Sequence, residues 1–182
     1  MKIIGFGGSL RKGSYNLMLL NEFKRINQDL FDVEIADISG IPVYNQDLDS
    51  NQPESVTLLR ERVKSSDGFV ISTPEYDFSI PGFLKNTLDY LSRPVGMNPF
   101  SGKAGAIMSA SISMLGGSRA QYHLRQVLTY LDTRIVNKPE IFVTFANQKF
   151  DENGRLKDEM TTKFIRELGE KLRSEINKSS LT

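Results

Sequence analysis

The chain of 182 residues contains no cysteine, no tryptophan and a single histidine, His123. Without cysteine there can be no disulfide, thiolate metal site, iron-sulfur cluster or thiol nucleophile. One histidine leaves catalytic zinc short of nitrogen ligands. An excess of one charge is also missing. Lys and Arg total 23 against 22 Asp and Glu, a formal charge of +1 with no long block of either sign, so nothing marks a nucleic-acid surface. No apolar run approaches the length of a membrane-spanning helix. The first, Ile3 to Phe6, is short and ends in glycines, unlike the core of a signal peptide, and the expected location is the cytoplasm. What is present is 39% apolar and 25% charged residues, enough to bury a core unaided. The length suits one domain over residues 1–182.

Short apolar runs alternate with helical patterns along the chain, the order expected of a parallel α/β sheet. Strands are expected at Lys2 to Gly7, Val33 to Asp37, Gly68 to Ser72 and Ala104 to Ser109. A fifth, made irregular by Pro139, falls within Arg134 to Phe145. Between them run helical stripes. Leu19, Phe23, Ile26 and Leu30 form the first, and Val56, Leu59 and Val63 the second, which Pro53 opens. A third helix runs from Pro81 to about Ser92 and carries two stripes, Leu84-Leu88-Leu91 and Phe83-Thr87-Tyr90. Either a subunit contact or a deep position in its own core would account for both. Asp89 and Arg93, four apart, suit a surface pair. For the fourth helix Ser118 is the expected N-cap, with Ala120, Leu124, Val127 and Leu131 inward and Arg119, Gln121 and Arg125 outward. The last helix places Met160, Phe164, Leu168, Leu172 and Ile176 at steps of four. Five strands with right-handed crossovers give a flavodoxin-like three-layer sandwich, a parallel sheet of order 2-1-3-4-5 with helices on both faces. Ligands of such sheets bind beyond the carboxyl ends of the strands at the switch point, which directs attention to the loops after strands one, three and four.

The first of these loops, Gly7 to Asn16, leaves a strand and enters a helix, so its N–H groups and the positive helix end converge. It is not a Walker loop, because Ser14 stands where the lysine belongs, nor a Rossmann loop, because Leu10 replaces the third glycine. Ser9, Arg11, Ser14 and Asn16 offer donors to a phosphate; a plain capping turn is the alternative, and Lys12 reads as solvated. The second loop, Thr73 to Gly82, holds two prolines and two aromatics. Tyr76 suits the edge or face of a flat ring, while Phe78 suits the core. The third, Ser109 to Ser118, ends in Gly116-Gly117, which permits close backbone approach.

Taken together, Gly8-Ser9-Leu10-Arg11 with Ser14 and Asn16, Ile41 to Leu48, Pro74-Glu75-Tyr76, Pro81-Gly82-x-Leu84-Lys85-Asn86-x-x-Asp89 and Gly116-Gly117-x-Arg119-Ala120-Gln121 with Leu124-Arg125 resemble the NADPH-dependent FMN reductases, a flavodoxin-like family that includes quinone, azo-dye and chromate reductases. The matches cover roughly the first three quarters of the chain. The resemblance implies that Ser9, Arg11, Ser14, Tyr15 and Asn16 hold the FMN phosphate and that Pro74, Glu75, Tyr76 and Asp77 frame the isoalloxazine. Ser109, Gly116 and Gly117 would complete the pocket. It further implies NADPH or NADH as co-substrate, a small-molecule electron acceptor and a homodimer or homotetramer. Asp77 departs from the family, where Asn is common, and a carboxylate there would oppose negative charge on reduced flavin and shift its potential.

On this reading the chemistry belongs to the cofactor, passing hydride from NAD(P)H to quinones, free flavin or azo compounds by ping-pong turnover, with no acid, base or metal residue required and Glu75 and Tyr76 as positioning groups. Three other readings stay open. A flavodoxin-type FMN carrier calls for an acidic docking surface, which a charge of +1 does not supply. A serine hydrolase built on Ser9 or Ser109 with His123 lacks the Gly-x-Ser-x-Gly elbow, and His123 reads as a helix-surface residue. A flavin-binding sensor without turnover is the third.

Overall fold

The computed structural model describes residues 1–179; Ser180 to Thr182 of the expected domain lie outside the described residues. Strands β1 (Lys2–Gly7), β2 (Asp32–Ala36), β3 (Gly68–Ser72) and β4 (Ala104–Ala110) are joined by helices α1 (Tyr15–Ile26), α2 (Glu54–Lys64) and α3 (Gly82–Leu91). Helix α4 (Ser118–Tyr130) leads to β5 (Arg134–Ile135) and β6 (Ile141–Val143), then to α5 (Ala146–Lys149) and α6 (Glu159–Ser179). All strand pairs are parallel and the order is β2-β1-β3-β4-β5.

The expected fifth strand is two segments. β5 pairs with Ala104 and Gly105 at the start of β4, and β6 with Met108, Ser109 and Ala110 at its end, so among the described residues the sheet has six strands with one edge interrupted. The interruption contains Pro139, which has no N–H to give a ladder and is at home only at an edge.

Alternation along the strands divides the core between two faces. Ile3, Val70, Ala106 and Met108 pack with Leu19, Leu20 and Phe23 of α1 and Ile165, Leu168, Leu172 and Ile176 of α6. Ile4, Phe6, Phe69, Ile71 and Ile107 pack with Leu59 and Val63 of α2, Leu84 and Leu88 of α3, and Leu124 and Leu128 of α4. The small residues of β4 have a tenant: a Cβ on Gly105 would run into the ring of Phe69.

Several helix faces differ from expectation. Met160 and Phe164 are exposed while Ile165 is buried, because each step of four turns about 40° past a full rotation and the expected stripe drifts off the core over four steps. Most of both stripes of α3 is covered within the chain: Leu84, Thr87, Leu88, Tyr90 and Leu91 are buried and Phe83 is half-buried, and Tyr44 from the loop after β2 packs edge-on against Tyr90 at 5.1 Å. Asn86 pins that loop, accepting from Tyr44 N at 2.8 Å and donating to Pro42 O at 2.7 Å. Asp89 pairs with Lys85 at 2.7 Å rather than with Arg93, whose carbonyl accepts from the guanidinium of Arg60. Arg60 is itself buried and donates to Tyr90 O and Leu91 O as well, a cation closing the negative end of α3; burial lowers its pKa from the ordinary value. Among the described residues no helix is long and apolar enough to cross a membrane.

Candidate functional site at the switch point

The chain reverses direction across the sheet between β2 and β3, so the loops after β1 and β3 leave neighbouring strands side by side. They touch at Gly8. Its N–H donates to Ser72 O at 2.7 Å, and a Cβ there would lie 2.8 Å from Thr73 Oγ1 and 3.0 Å from its Cα. A side chain would push the two loops apart.

Ser14 takes extended backbone (φ −74°, ψ 120°) and its Oγ accepts from Leu17 N at 3.3 Å, the N-cap of α1. The N–H groups of Lys12, Gly13, Tyr15 and Asn16 meet no acceptor among the described residues. Ser9 Oγ accepts from Arg11 N at 3.3 Å. The Arg11 guanidinium folds back on Gly13 O and lies 5.6 Å from the Tyr15 ring centroid, and Tyr15 rests on Phe150 at 5.7 Å. Ser9, Arg11 and Lys12 also line a cavity of about 340 Å³ that opens toward Asp37, Ile38 and Ser39. Free N–H groups, two hydroxyls and two cations at a helix start are a donor set that fits a phosphate.

The side chain of Asn16 does not join that set. It is buried, with Nδ2 donating to Ala110 O at 2.8 Å and Oδ1 accepting from Ala110 N at 2.9 Å and Ser72 Oγ at 3.2 Å. It bolts the start of α1 to the ends of β3 and β4, because a side-chain amide carries a donor and an acceptor side by side and so satisfies the N–H and C=O of one buried residue together. Only its backbone N–H faces the loop.

After β3, Tyr76 and Ser79 exchange both backbone hydrogen bonds at 2.9 Å, closing a two-residue hairpin turn over Asp77 (φ 49°) and Phe78 (φ 65°). Two left-handed central residues are the I′ geometry that a tight hairpin requires, normally met by Asn-Gly. With a bulky residue each such position costs on the order of 1–2 kcal/mol. Phe78 is 62% exposed and Tyr76 49%, so Phe78, expected in the core, stays outside it at the tip of the turn, against Arg119.

The hairpin is held from α4. Arg119 Nε donates to Glu75 Oε1 at 2.6 Å, and the N–H groups of Arg119 and Ala120 donate to Oε2 at 3.0 and 3.3 Å. Glu75 therefore caps α4 from 44 residues away. The expected N-cap, Ser118, is instead the first helical residue, and Gly117 precedes it with φ 84° and no side-chain cap. The guanidinium of Arg119 also lies over the ring of Phe78, 3.6 Å from its centroid. One turn on, His123 Nδ1 is 3.1 Å from Ser79 Oγ; the histidine is on the helix surface as expected, and it touches the hairpin. Asp77 forms no ion pair among the described residues.

Ser109 is fully buried and faces the next turn from beneath. Its Oγ donates to Gly116 O at 2.5 Å and accepts from Gln121 Nε2 at 2.8 Å, and a Cβ on Gly117 would strike its Cβ at 2.8 Å. Gln121, expected outward, is completely buried and also donates to Ile141 O at 2.7 Å. Its partners lie on β4 and β6, which periodicity within α4 cannot reveal. Glu75 and the Gly116–Gly117 turn thus bring the loops after β3 and β4 together beside the donor-rich loop after β1. Pro74, Glu75, Tyr76 and Asp77 run in succession from the end of β3 into the hairpin, with Glu75 tethered to α4.

A parallel sheet of this order with its connecting loops gathered at the switch point is a flavodoxin-like α/β protein. The chain belongs to the NADPH-dependent FMN reductase family, whose sequence profile matches residues 1–148. It is 44% identical over 168 residues to an NAD(P)H-dependent FMN reductase of Pseudomonas aeruginosa, covering 92% of this chain and 90% of that one. To a 2-hydroxy-1,4-benzoquinone reductase of a Burkholderia species it is 39% identical over 165 residues, covering 91% and 90%. Among solved structures it resembles FerB, a flavoenzyme NAD(P)H:(acceptor) oxidoreductase from Paracoccus denitrificans, with a TM-score of 0.90 at 32% identity over 97% of each chain.

Proposed function

We propose that this protein is an FMN-dependent NAD(P)H oxidoreductase that passes electrons to quinones and similar flat acceptors. The observation that carries this reading is the contact of Gly8 with Ser72 and Thr73, which sets a phosphate-fitting donor loop beside the start of the loop that carries the aromatic hairpin. Ser9, Arg11 and Ser14, with the N–H groups of Lys12, Gly13, Tyr15 and Asn16, would hold the phosphate, and Arg11 would leave Gly13 O for it. Pro74, Glu75, Tyr76 and Asp77 would frame the ring, with the Gly116–Gly117 turn opposite. Ser109, Gln121 and the Asn16 side chain act beneath the site, fixing where those loops stand. When bound, FMN supplies the redox chemistry, accepting hydride from the nicotinamide and releasing the electrons to the acceptor.

The polypeptide has only to order the partners and exclude wrong geometries. Glu75 is engaged with Arg119 and the start of α4, which suits a positioning group and leaves no proton transfer to assign to it. As the family resemblance implies, we expect a homodimer or homotetramer in the cytoplasm, the former readable by sedimentation.

The deciding experiment is the visible spectrum of purified protein with added FMN, made anaerobic, treated with NADPH and then with p-benzoquinone. Loss of the flavin bands with NADPH and their return with quinone is the expected result. Flavin that binds but stays oxidised with NADPH and NADH overturns the reductase in favour of a carrier or sensor. Failure to bind flavin overturns the reading of all three loops.

A further inference from the structure

Phe78 combines three properties that folding does not require. It occupies a left-handed backbone position that glycine would fill without strain. Its ring is 62% exposed and adds nothing to either core cluster. And one face of that ring is backed by the Arg119 guanidinium at 3.6 Å, itself locked by Glu75. A large aromatic kept at the tip of a strained turn, stiffened from behind by a planar cation, is a presented surface. It lies next to Asp77 and two residues from Tyr76, on the hairpin that frames the proposed ring site.

We propose that Phe78 is a specificity-determining residue: the open face of its ring is the platform on which a planar aromatic acceptor stacks, so that the protein favours flat quinonoid rings over compact oxidants that offer no face. This rests on the proposed function above. The stiffening matters because a ring free to rotate would lose its orientation each time the slot empties, whereas one clamped between a hairpin and a guanidinium offers the same plane on every turnover.

The test uses FMN-loaded protein and the variants Phe78→Gly and Phe78→Tyr. In ping-pong turnover kcat/KM for the acceptor reports the acceptor half-reaction alone, so the donor step does not enter the comparison. The ratio of kcat/KM for p-benzoquinone to that for ferricyanide is expected to fall about tenfold in Phe78→Gly, the worth of one good aromatic stack, and to be retained in Phe78→Tyr. Coumarin, flat and redox-inert, read by its perturbation of the oxidised flavin spectrum, is expected to bind about tenfold more weakly to Phe78→Gly by the same measure. The urea midpoint of the flavin-free variant is expected to equal or exceed that of the parent, since glycine relieves the turn.

An unchanged ratio with unchanged coumarin binding would overturn the proposal. So would a change of oligomeric state in Phe78→Gly, which would make the ring a subunit contact. If the parent itself binds no FMN, or its flavin is not bleached by NADPH, the proposed function fails first, and that result is recorded before any variant is made.

Discussion

The loop after β1 and the hairpin after β3 stand side by side at the switch point and are built on opposite principles. In the first, each residue from Gly8 to Asn16 keeps a conformation its type favours: no non-glycine residue there has positive φ, Ser14 caps as serine does, and Asn16 bolts the loop to strands beneath it. In the second, two successive non-glycine residues are left-handed, and the shape is maintained by Arg119 and His123 on a helix that follows much later in the chain. The contrast follows from what each must present. A phosphate is gripped by backbone N–H groups, so nearly any side chain can ride along and strain has no use. A flat ring must be met by particular side chains at particular angles, and the hairpin holds them there at a cost in backbone energy.

The contrast makes an ordered set of expectations. Asn16→Ala should have the largest effect, because it leaves the N–H and C=O of Ala110 without partners in a buried place, each worth about 1–3 kcal/mol. We expect a loss of roughly 3 kcal/mol in urea unfolding, visible without flavin. A loss under about 1 kcal/mol would mean that the loop after β1 does not depend on its bolt. Glu75→Gln should come next, at about 1–2 kcal/mol, because the amide keeps part of the capping geometry but gives up the charge opposite Arg119 and the helix start. FMN should bind roughly tenfold more weakly as the hairpin loosens from α4. Were Glu75→Gln to cost more than Asn16→Ala, the ranking of the bolt beneath the β1 loop over the tether of the hairpin would be inverted.

The same contrast explains what could be read in advance. Periodicity places β1 and β3 at their observed ends, and the cap of the loop after β1 is legible because Ser14 and the start of α1 are neighbours in sequence, whereas its bolt runs from Asn16 to Ala110, far along the chain. Periodicity turns Gln121 outward, whereas its partners are Ser109 and Ile141. Ser118 has the residue type of a cap, but Glu75 caps the helix from another loop. Hydrophobicity assigns Phe78 to the core and is blind to a left-handed turn. Asn16 has a donor suited to an anion, yet its buried amide faces the strands. For Gln121, Ser118 and Asn16 the missing term is a partner on another element, and for Phe78 it is the local turn. A usable signal was nevertheless present in the departure at Asp77, since Asn-Gly is the ordinary filling of a two-residue turn and Asp-Phe is not.

Asp77 gives the smallest and sharpest expectation, because strain and charge can be separated there. Asp77→Asn keeps a side chain that tolerates left-handed backbone, so stability should change by less than about 0.5 kcal/mol. Its effect should fall on the flavin. The carboxylate is exposed, forms no ion pair among the described residues and adjoins the proposed ring site, so removing its charge favours the more negative, reduced form. The midpoint potential should rise by on the order of tens of millivolts, with the shift shrinking at high salt. Asp77→Gly removes the same charge and the strain as well, so it should raise the potential equally and also stabilise the protein by about 0.5–1 kcal/mol. Spectroelectrochemistry and urea unfolding on the pair test the two terms independently. A potential that moves with Gly but not with Asn would assign the effect to hairpin shape, and the hairpin would then act on the flavin through its backbone, as the loop after β1 does, rather than through the groups it presents.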